Sequence, residues 1–544
     1  MGRGSYSLCS RIRRVPRGNS ALSNSRGEKP VACLRASLQD RVIMTLHYAR
    51  RIDLVIGRGL TLANFAERLS GIWGDRVLMT DGASGETLTY RQANELVTAY
   101  SNAIAAKIQP HDRVVLATPN TYHQFLACLA VARAGGIAVP INPQMRPAEI
   151  SHVEKDSGAV LCIRDVSELM GEFPTVAPAR PGAEDVAALM YTSGTTGAPK
   201  GAALSHRSLL GQSAFATLFP ANLRHDEVVV ALPVAHIMGF ATLIGLMSAG
   251  LAVYFSERFR AAETLVAIES RRAAAFVGVP AMYRMMAEAG AAEKDLSSVR
   301  LWMSGADVMP PDLIRLFKRY GSSAKVPLIG SVGEAAFVEG YGMVEVGGGV
   351  AAKVSPPMIP VGFGDALGFR LPGYKFKVVD EGDKAVSIGH TGELLIRGPG
   401  VLREYWNSPE ATTAALTSDG WLRTGDLVRV GPFGTIIFSG RKKHTVKCGG
   451  FSVYPLEVEA ALEEHPEVLE ASVIGLPDKT LGEVPCAVVR VAPGSALAEE
   501  TLLAWAEDRL SHYKSPRKIR FVDELPRTGT GKVQKEHLLE LFAS

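Results

Sequence analysis

The stretch ALMYTSGTTGAPKG, residues 188–201, runs from a short apolar segment into a loop of glycine, serine and threonine that ends in a lysine. Between Tyr191 and Gly201 lie four Ser/Thr hydroxyls, three glycines and Lys200. Backbone amides freed by glycine, with hydroxyl donors beside them, form a concave anion site. Lys200 adds a positive charge, so a phosphate-rich ligand suits the loop better than a carbohydrate or a peptide. A plain surface turn would not need four hydroxyls directly after a buried strand. The common phosphate fingerprints nevertheless fail. In PRTGTGKV, Pro526 and Val533 stand where a P-loop needs Gly and Ser/Thr, and GFGDALG (362–368) lacks the third glycine of a dinucleotide site. No G-x-S-x-G elbow of a serine hydrolase is present.

On both sides of this loop, short apolar runs alternate with helix-length segments. DRVVLATP (112–119), GGIAVPIN (135–142), AVLCIRD (159–165), VVVALPV (228–234) and AAAFVGVP (273–280) read as buried strands, and HQFLACLAVARA (123–134) as a helix between two of them. Such alternation predicts an α/β fold with a parallel sheet. From about Gly362 the texture changes to glycine-bounded strands, GYKFKVVD, GELLIRG and GTIIFSG, which predict a β-rich subdomain. The charged, glycine-rich GRKKHTVKCGG (440–450) marks a boundary. Beyond it, two strands (ASVIGLP, PCAVVRV) and two helices (PLEVEAALEEH, TLLAWAEDRL) predict a small α+β domain. The expected division is a basic extension over 1–43, a large domain over 44–443 and a small one over 444–544. No tandem repeat appears.

The chain has 544 residues, too many for one core. Its formal charge of +4 is concentrated at one end: residues 1–43 hold nine Lys/Arg and two Asp/Glu, leaving 50 basic and 53 acidic residues elsewhere. A nucleic-acid surface is therefore not expected. The Arg- and Ser-rich start reads as a transit peptide, a disordered tail or an upstream start before Met44. Tyr6 breaks the myristoylation pattern. A cytoplasmic location is expected, or a mitochondrial one if residues 1–43 are a transit peptide. The six scattered cysteines show no metal spacing and suit reduced thiols. Residues 237–255 are uncharged and near spanning length, but Gly250 divides them into a helix-like half and the β-rich LAVYF, so no transmembrane segment is expected.

Six motifs occur in a fixed order: YTSGTTGAPKG, SGAD (304–307), GYGMVE (340–345), TGD (424–426), GRKKH (440–444) and PRTGTGKVQK (526–535). Together they closely resemble the adenylate-forming superfamily of acyl-CoA synthetases, luciferases and peptide-synthetase adenylation domains, over roughly residues 60 to 540. That resemblance implies coupling of a carboxylic acid to ATP, giving acyl-AMP and pyrophosphate, followed by transfer to a thiol. It further implies that Thr192, Ser193, Gly194, Thr195, Thr196, Gly197 and Lys200 hold the triphosphate. Glu345 is the implied magnesium ligand. Tyr341 is expected to stack on adenine near Gly305, Ala306 and Gly340, Asp426 to accept from the ribose hydroxyls, and Arg441 to reach ribose or phosphate. Lys532 is the implied adenylation catalyst; taken alone, a lysine in that segment reads as a solvated surface charge. Because Lys532 belongs to the small domain, a rotation between the domains is implied, with its hinge at His444, where the family has aspartate. Val344 replaces a threonine and removes one hydroxyl, a loss on the order of 1 kcal/mol. Glu404 stands where glycine is common.

Amino-acid-activating relatives carry an aspartate near the position of His236. Here PVAHIMGF has no acid, which favours a carboxylic acid without an α-amine. His236 either lines the acyl entrance or is a hydrogen-bonded core histidine. The apolar Met238, Phe240 and Leu243 suit a fatty acid, with an aryl acid as the alternative. KCGGFSV resembles a CoA-ligase motif whose glycines, Gly449 and Gly450, pass pantetheine while Lys447 contacts CoA or nucleotide; the same glycines equally suit a hairpin turn. The expected activity is an acid–CoA ligase using ATP, Mg²⁺ and CoA, with a second copy of the chain as a candidate partner. Competing readings are an acyl-AMP ligase feeding a carrier protein and a non-catalytic nucleotide- or acyl-binding pseudoenzyme.

Overall fold

A computed structural model describes residues 49–55, 59–142, 145–192, 199–211, 213–218, 227–326, 328–359, 366–527 and 532–542. Ser193, Gly194, Thr195, Thr196 and Gly197 of the hydroxyl-rich loop lie outside them, as does the 1–43 extension. Two sheets carry the large α/β part. The first has, among the described residues, six strands ordered Glu404–Tyr405, Lys200–Ser205, Val186–Thr192, Ile137–Pro140, Arg113–Leu116 and Leu161–Ile163. Its inner strands pair in parallel, and every residue of Ile137–Pro140 is buried, which is why the sequence shows unbroken apolar runs there. The helix Tyr122–Arg133 is buried over ten of its residues, Tyr122 and Gln124 to Ala132. The hydroxyl-rich loop leaves Val186–Thr192 and returns as the antiparallel Lys200–Ser205, with Thr192 opposite Lys200. The chain therefore enters a strand after the loop, where a P-loop would enter a helix.

The second sheet holds Phe369–Arg370, Gly348–Ser355, Ala336–Met343, Leu301–Gly305, Ala275–Gly278, Glu227–Val230, Ala252–Phe255, Val77–Asp81 and Thr87–Thr89 in that order. The expected strands near 112, 135, 159, 228 and 273 are all present. The uncharged segment forms the helix Ile237–Ala249 and the strand Ala252–Phe255, divided at Gly250 with φ of +73°. A Cβ at Gly250 would stand 2.7 Å from the Trp73 ring, so both space and backbone demand glycine. No helix among the described residues is long and apolar enough to cross a membrane.

The β-rich part is an antiparallel sheet of Lys375–Val379, Thr391–Arg397, Leu422–Val430 and Ile436–Arg441. After it, Val446–Cys448, Phe451–Val453, Val468–Asp478, Gly482–Val491 and Ile519–Phe521 make another sheet, covered by the helices Pro455–Glu463 and Glu499–Arg509. These elements share their own apolar cluster, including Leu462, Val473, Val489 and Leu502. The chain divides after Arg51, and Ile52–Ser544 forms one unit.

Glu463, at the end of Pro455–Glu463, accepts from the Ala471 amide at 3.0 Å. Burial raises its carboxyl to about 7. A carboxyl raised in the folded state contributes stability that is full below the unfolded carboxylate range and lost as pH rises through 7. Glu463→Gln keeps the acceptor and removes the charge. It is expected to match the unmutated protein near pH 5 and to exceed it at pH 8 by about 1–3 kcal/mol; thermal melting at both pH values checks this.

Candidate functional site

The parallel strands Leu301–Gly305 and Ala336–Met343 run in register, with Gly305 opposite Gly340. This brings the ends of SGAD and GYGMVE side by side at the carboxyl edge of a sheet, where open α/β sheets bind ligands. A Cβ at Gly305 would stand 3.2 Å from the Gly340 carbonyl oxygen, so the backbones lie close. Ala306 takes a φ of +70°, which strains a non-glycine residue and is most often seen at functional turns.

In the antiparallel sheet, Asp426 lies opposite Arg441. Arg441 Nε is 2.7 Å from Asp426 Oδ1, and the Tyr341 hydroxyl donates to Asp426 Oδ2 at 2.5 Å. The Asp426 amide is held by Thr424 Oγ1 at 3.0 Å, and Thr424 Oγ1 in turn donates to the Leu394 carbonyl at 2.7 Å. Asp426 is only 1 % exposed, yet its Oδ1 receives no well-aligned hydrogen bond, because Arg441 approaches without aiming an N–H along the contact. An orphaned acceptor on a buried carboxylate carries a desolvation cost that a hydroxyl-bearing ligand can relieve. Burial raises the Asp426 carboxyl, opposed by Arg441 and the Tyr341 hydroxyl.

Glu345 is placed by Tyr405, whose hydroxyl donates to its Oε1 at 2.8 Å, and by the Leu402 amide, which bonds its carbonyl. Lys200 Nζ lies 5.8 Å from the centre of the Tyr405 ring, within cation–π range. Tyr405 was not singled out from the sequence, although its neighbour Glu404 was. No local pattern marks it: Glu404–Tyr405 is a two-residue strand, exposed at Glu404 and half-buried at Tyr405, and its pairing with Lys200–Ser205 places it. A cavity of about 550 Å³ opens here, lined by Lys200, Tyr405, Thr424, Gly425, Arg423 and Lys442 among others. Arg423 and Lys442 pair with acids on its wall, whereas Lys200 has no carboxylate partner among the described residues. One carboxylate beside a lysine fits a magnesium ion that arrives on a polyphosphate and takes its remaining ligands from phosphate and water. Among the described residues, no cluster of three metal-ligating side chains forms a cage of its own.

Lys532 joins this group. Burial and the Arg441 charge lower its ammonium, against Asp307, Asp426 and Glu345, which raise it. Its charge also reaches His236, whose imidazole is held down to about 4 by burial first and Lys532 second. The His236 side chain caps the helix Ile237–Ala249, Nδ1 accepting from the Met238 amide at 3.3 Å. The histidine is thus both hydrogen-bonded and adjacent to the site. Val344 packs half-buried against the main core.

Other candidates fall elsewhere. Gly449 and Gly450 form the two-residue turn between Val446–Cys448 and Phe451–Val453, with φ of +57° and +83°, the geometry a tight hairpin asks of glycine. Lys447 Nζ bonds Ser452 Oγ at 2.9 Å and its amide bonds Glu483 at 2.8 Å, so its contacts stay within the C-terminal sheet. His444 ends the turn Lys442–His444. Its Nε2 is buried without a hydrogen-bond partner, and burial, with Lys535, Lys443 and Arg441, holds it down to about 4.

The family model "AMP-binding enzyme" matches residues 67–175 and 164–406, and the "AMP-binding enzyme C-terminal domain" matches 457–532. A feruloyl-CoA synthase from Amycolatopsis is 34% identical over 490 residues, covering 84% of this chain and 94% of that one. An indoleacetate–CoA ligase from Aromatoleum aromaticum is 33% identical over 492 residues, covering 84% and 93%. Among solved structures, ATP-bound MatB from Rhodopseudomonas palustris superposes with a TM-score of 0.78 at 28% identity, covering 89% of this chain and 99% of that one. This chain belongs to the AMP-binding enzyme family of adenylate-forming acyl-CoA synthetases.

Proposed function

We propose that the protein joins a hydrophobic carboxylic acid without an α-amine, aryl acids foremost, to CoA with ATP and Mg²⁺. The observation that carries this reading is buried Asp426 held between Arg441 and the Tyr341 hydroxyl, with the charge of Lys532 felt by the same group. A carboxylate is a poor electrophile at its carbon, so its oxygen first attacks the α-phosphorus, and the bond to the departing pyrophosphate breaks. Negative charge gathers at that phosphorus in the transition state, where placed cations contribute most. Lys532 bridges the incoming carboxylate and the α-phosphate. Asp426 takes the ribose hydroxyls on the acceptor that protein donors leave unmet, and Tyr341 sets one wall of the adenine slot. Lys200 and the hydroxyl-rich loop hold the β- and γ-phosphates, and Tyr405 fixes the carboxylate of Glu345 toward them. Magnesium, when bound, neutralises phosphate charge. CoA sulfur then attacks the acyl carbon, its proton passes to solvent, and AMP leaves as the acyl C–O bond breaks. Residues 444–544 turn about His444 between the two steps, so that Lys532 serves the first and Lys447, Gly449 and Gly450 serve the second.

The acid class rests on two supports. The stretch PVAHIMGF around His236 holds no acid to bind an amine, and half-buried Met238, two residues on, packs against the main core, as do Met282 and Met303. Methionine adapts to flat and flexible apolar shapes alike. Similarity to relatives named for ferulate and indoleacetate supports reading an aryl acid ahead of the fatty acid that the sequence favours. The test is a panel of ferulate, 4-coumarate, indoleacetate and fatty acids of rising length, assayed for AMP release with and without CoA. CoA-dependent release, strongest with an aryl acid, is expected. Strongest release with a long alkyl chain would restore the fatty-acid reading. Release without CoA consumption would point to a carrier-protein acceptor, and no acid-dependent release at all to a pseudoenzyme.

A further inference from the structure

Outside the site just described, the helix Pro280–Glu288 meets the paired strands Val468–Asp478 and Gly482–Val491 through two ion pairs of opposite polarity. Arg284 NH1 is 2.9 Å from Glu470 Oε2, and one turn further along the helix Glu288 Oε1 is 2.9 Å from Arg490 NH1. Glu470 and Arg490 are themselves cross-strand partners, so one helical face reading plus–minus meets a strand pair reading minus–plus. Sliding the helix by a turn would set like charges against each other. Glu470 does more than meet the helix. Arg527 NH2 lies 2.5 Å from both of its carboxylate oxygens. Arg527 pairs with Val533 in an isolated antiparallel bridge, and the Gln534 amide bonds the Pro526 carbonyl at 2.8 Å, so Glu470 is tied to the residues beside Lys532. The Glu470 side chain is 10% exposed and that of Arg284 17%, so the pair is screened far less than a surface salt bridge.

We propose that Arg284–Glu470–Arg527, seconded by Glu288–Arg490, is a latch that holds the C-terminal region in the adenylation arrangement and presents Lys532 to the nucleotide. Glu470 is the shared node: one side chain holds Arg527, whose bridge partner Val533 adjoins Lys532, and ties it to the helix that follows Ala275–Gly278. Arg284 and Glu470 are positioning residues, since neither touches a reacting group. The latch must break for the thiol step, so weakening it shifts the population away from one half-reaction and not the other.

This inference rests on the ligase reading, and its test separates the two. With the best acid of the panel, Arg284→Met is expected to slow acid-dependent ATP–pyrophosphate exchange about tenfold. Thioester formation from supplied acyl-AMP and CoA should stay within about twofold of the unmutated protein. Arg284→Met leaves the Glu470–Arg527 pair intact, and Arg284→Lys should recover most of the exchange rate. Glu288→Arg, at a half-exposed position, should repel Arg490 and slow exchange likewise, whereas Glu288→Gln should slow it less. Unchanged exchange in Arg284→Met, equal loss in both half-reactions, or failure of Arg284→Lys to recover exchange would overturn the latch. Absence of exchange in the unmutated protein would overturn the ligase reading, and the latch with it.

Discussion

Lys532→Ala is expected to lower acid-dependent ATP–pyrophosphate exchange by about a thousandfold while sparing thioester formation from supplied acyl-AMP. A preorganised cation at the site of developing charge typically supplies a factor of about 10²–10³, and more where water is excluded. Lys532 meets that condition: burial lowers its ammonium, yet three acids, Asp307, Asp426 and Glu345, draw the charge into the cleft. A solvated surface lysine would have none of these neighbours, and its loss would leave both rates unchanged. Lys532→Arg keeps the charge but spreads it over a planar fork, so it should recover only a small part of the exchange rate. The two half-reactions, measured separately on purified protein, decide the matter. Equal losses in both would remove Lys532 from the adenylation step and the domain rotation with it.

Asp426→Ala is expected to raise the KM for ATP about a hundredfold and to destabilise the protein by about 3 kcal/mol. Two causes act together. The substitution strips the nucleotide of a charged acceptor, and it leaves Arg441 and the Tyr341 hydroxyl facing a site without their carboxylate. Asp426→Asn separates the causes, because it keeps shape and one acceptor while removing the charge opposite Arg441. It should recover most of the melting temperature and little of the ATP affinity. Isothermal titration with ATP beside thermal melting makes the distinction. ATP affinity unchanged in Asp426→Ala would move the ribose site elsewhere.

Features that depend on neighbours in the chain are legible before any packing is considered. Apolar runs of strand length marked the parallel sheets, and Gly250 marked the break that turns a membrane-length segment into a helix and a strand, whereas Gly449 and Gly450 suited a CoA passage and a hairpin turn alike. The order of six motifs marked the family. Only the tertiary structure decided which side chains meet. Tyr341 and Asp426 are 85 residues apart, Tyr405 and Glu345 are 60 apart, and Arg490 and Glu288 are 202 apart. Each of these contacts follows from a strand register or a helix-on-sheet packing that a local pattern does not encode. A one-residue slip would turn every side chain of a strand to its other face without altering its hydrophobic composition. Tyr405 escapes a local reading for that reason: its role is set by its pairing with Ala202 of the strand Lys200–Ser205, 203 residues earlier in the chain.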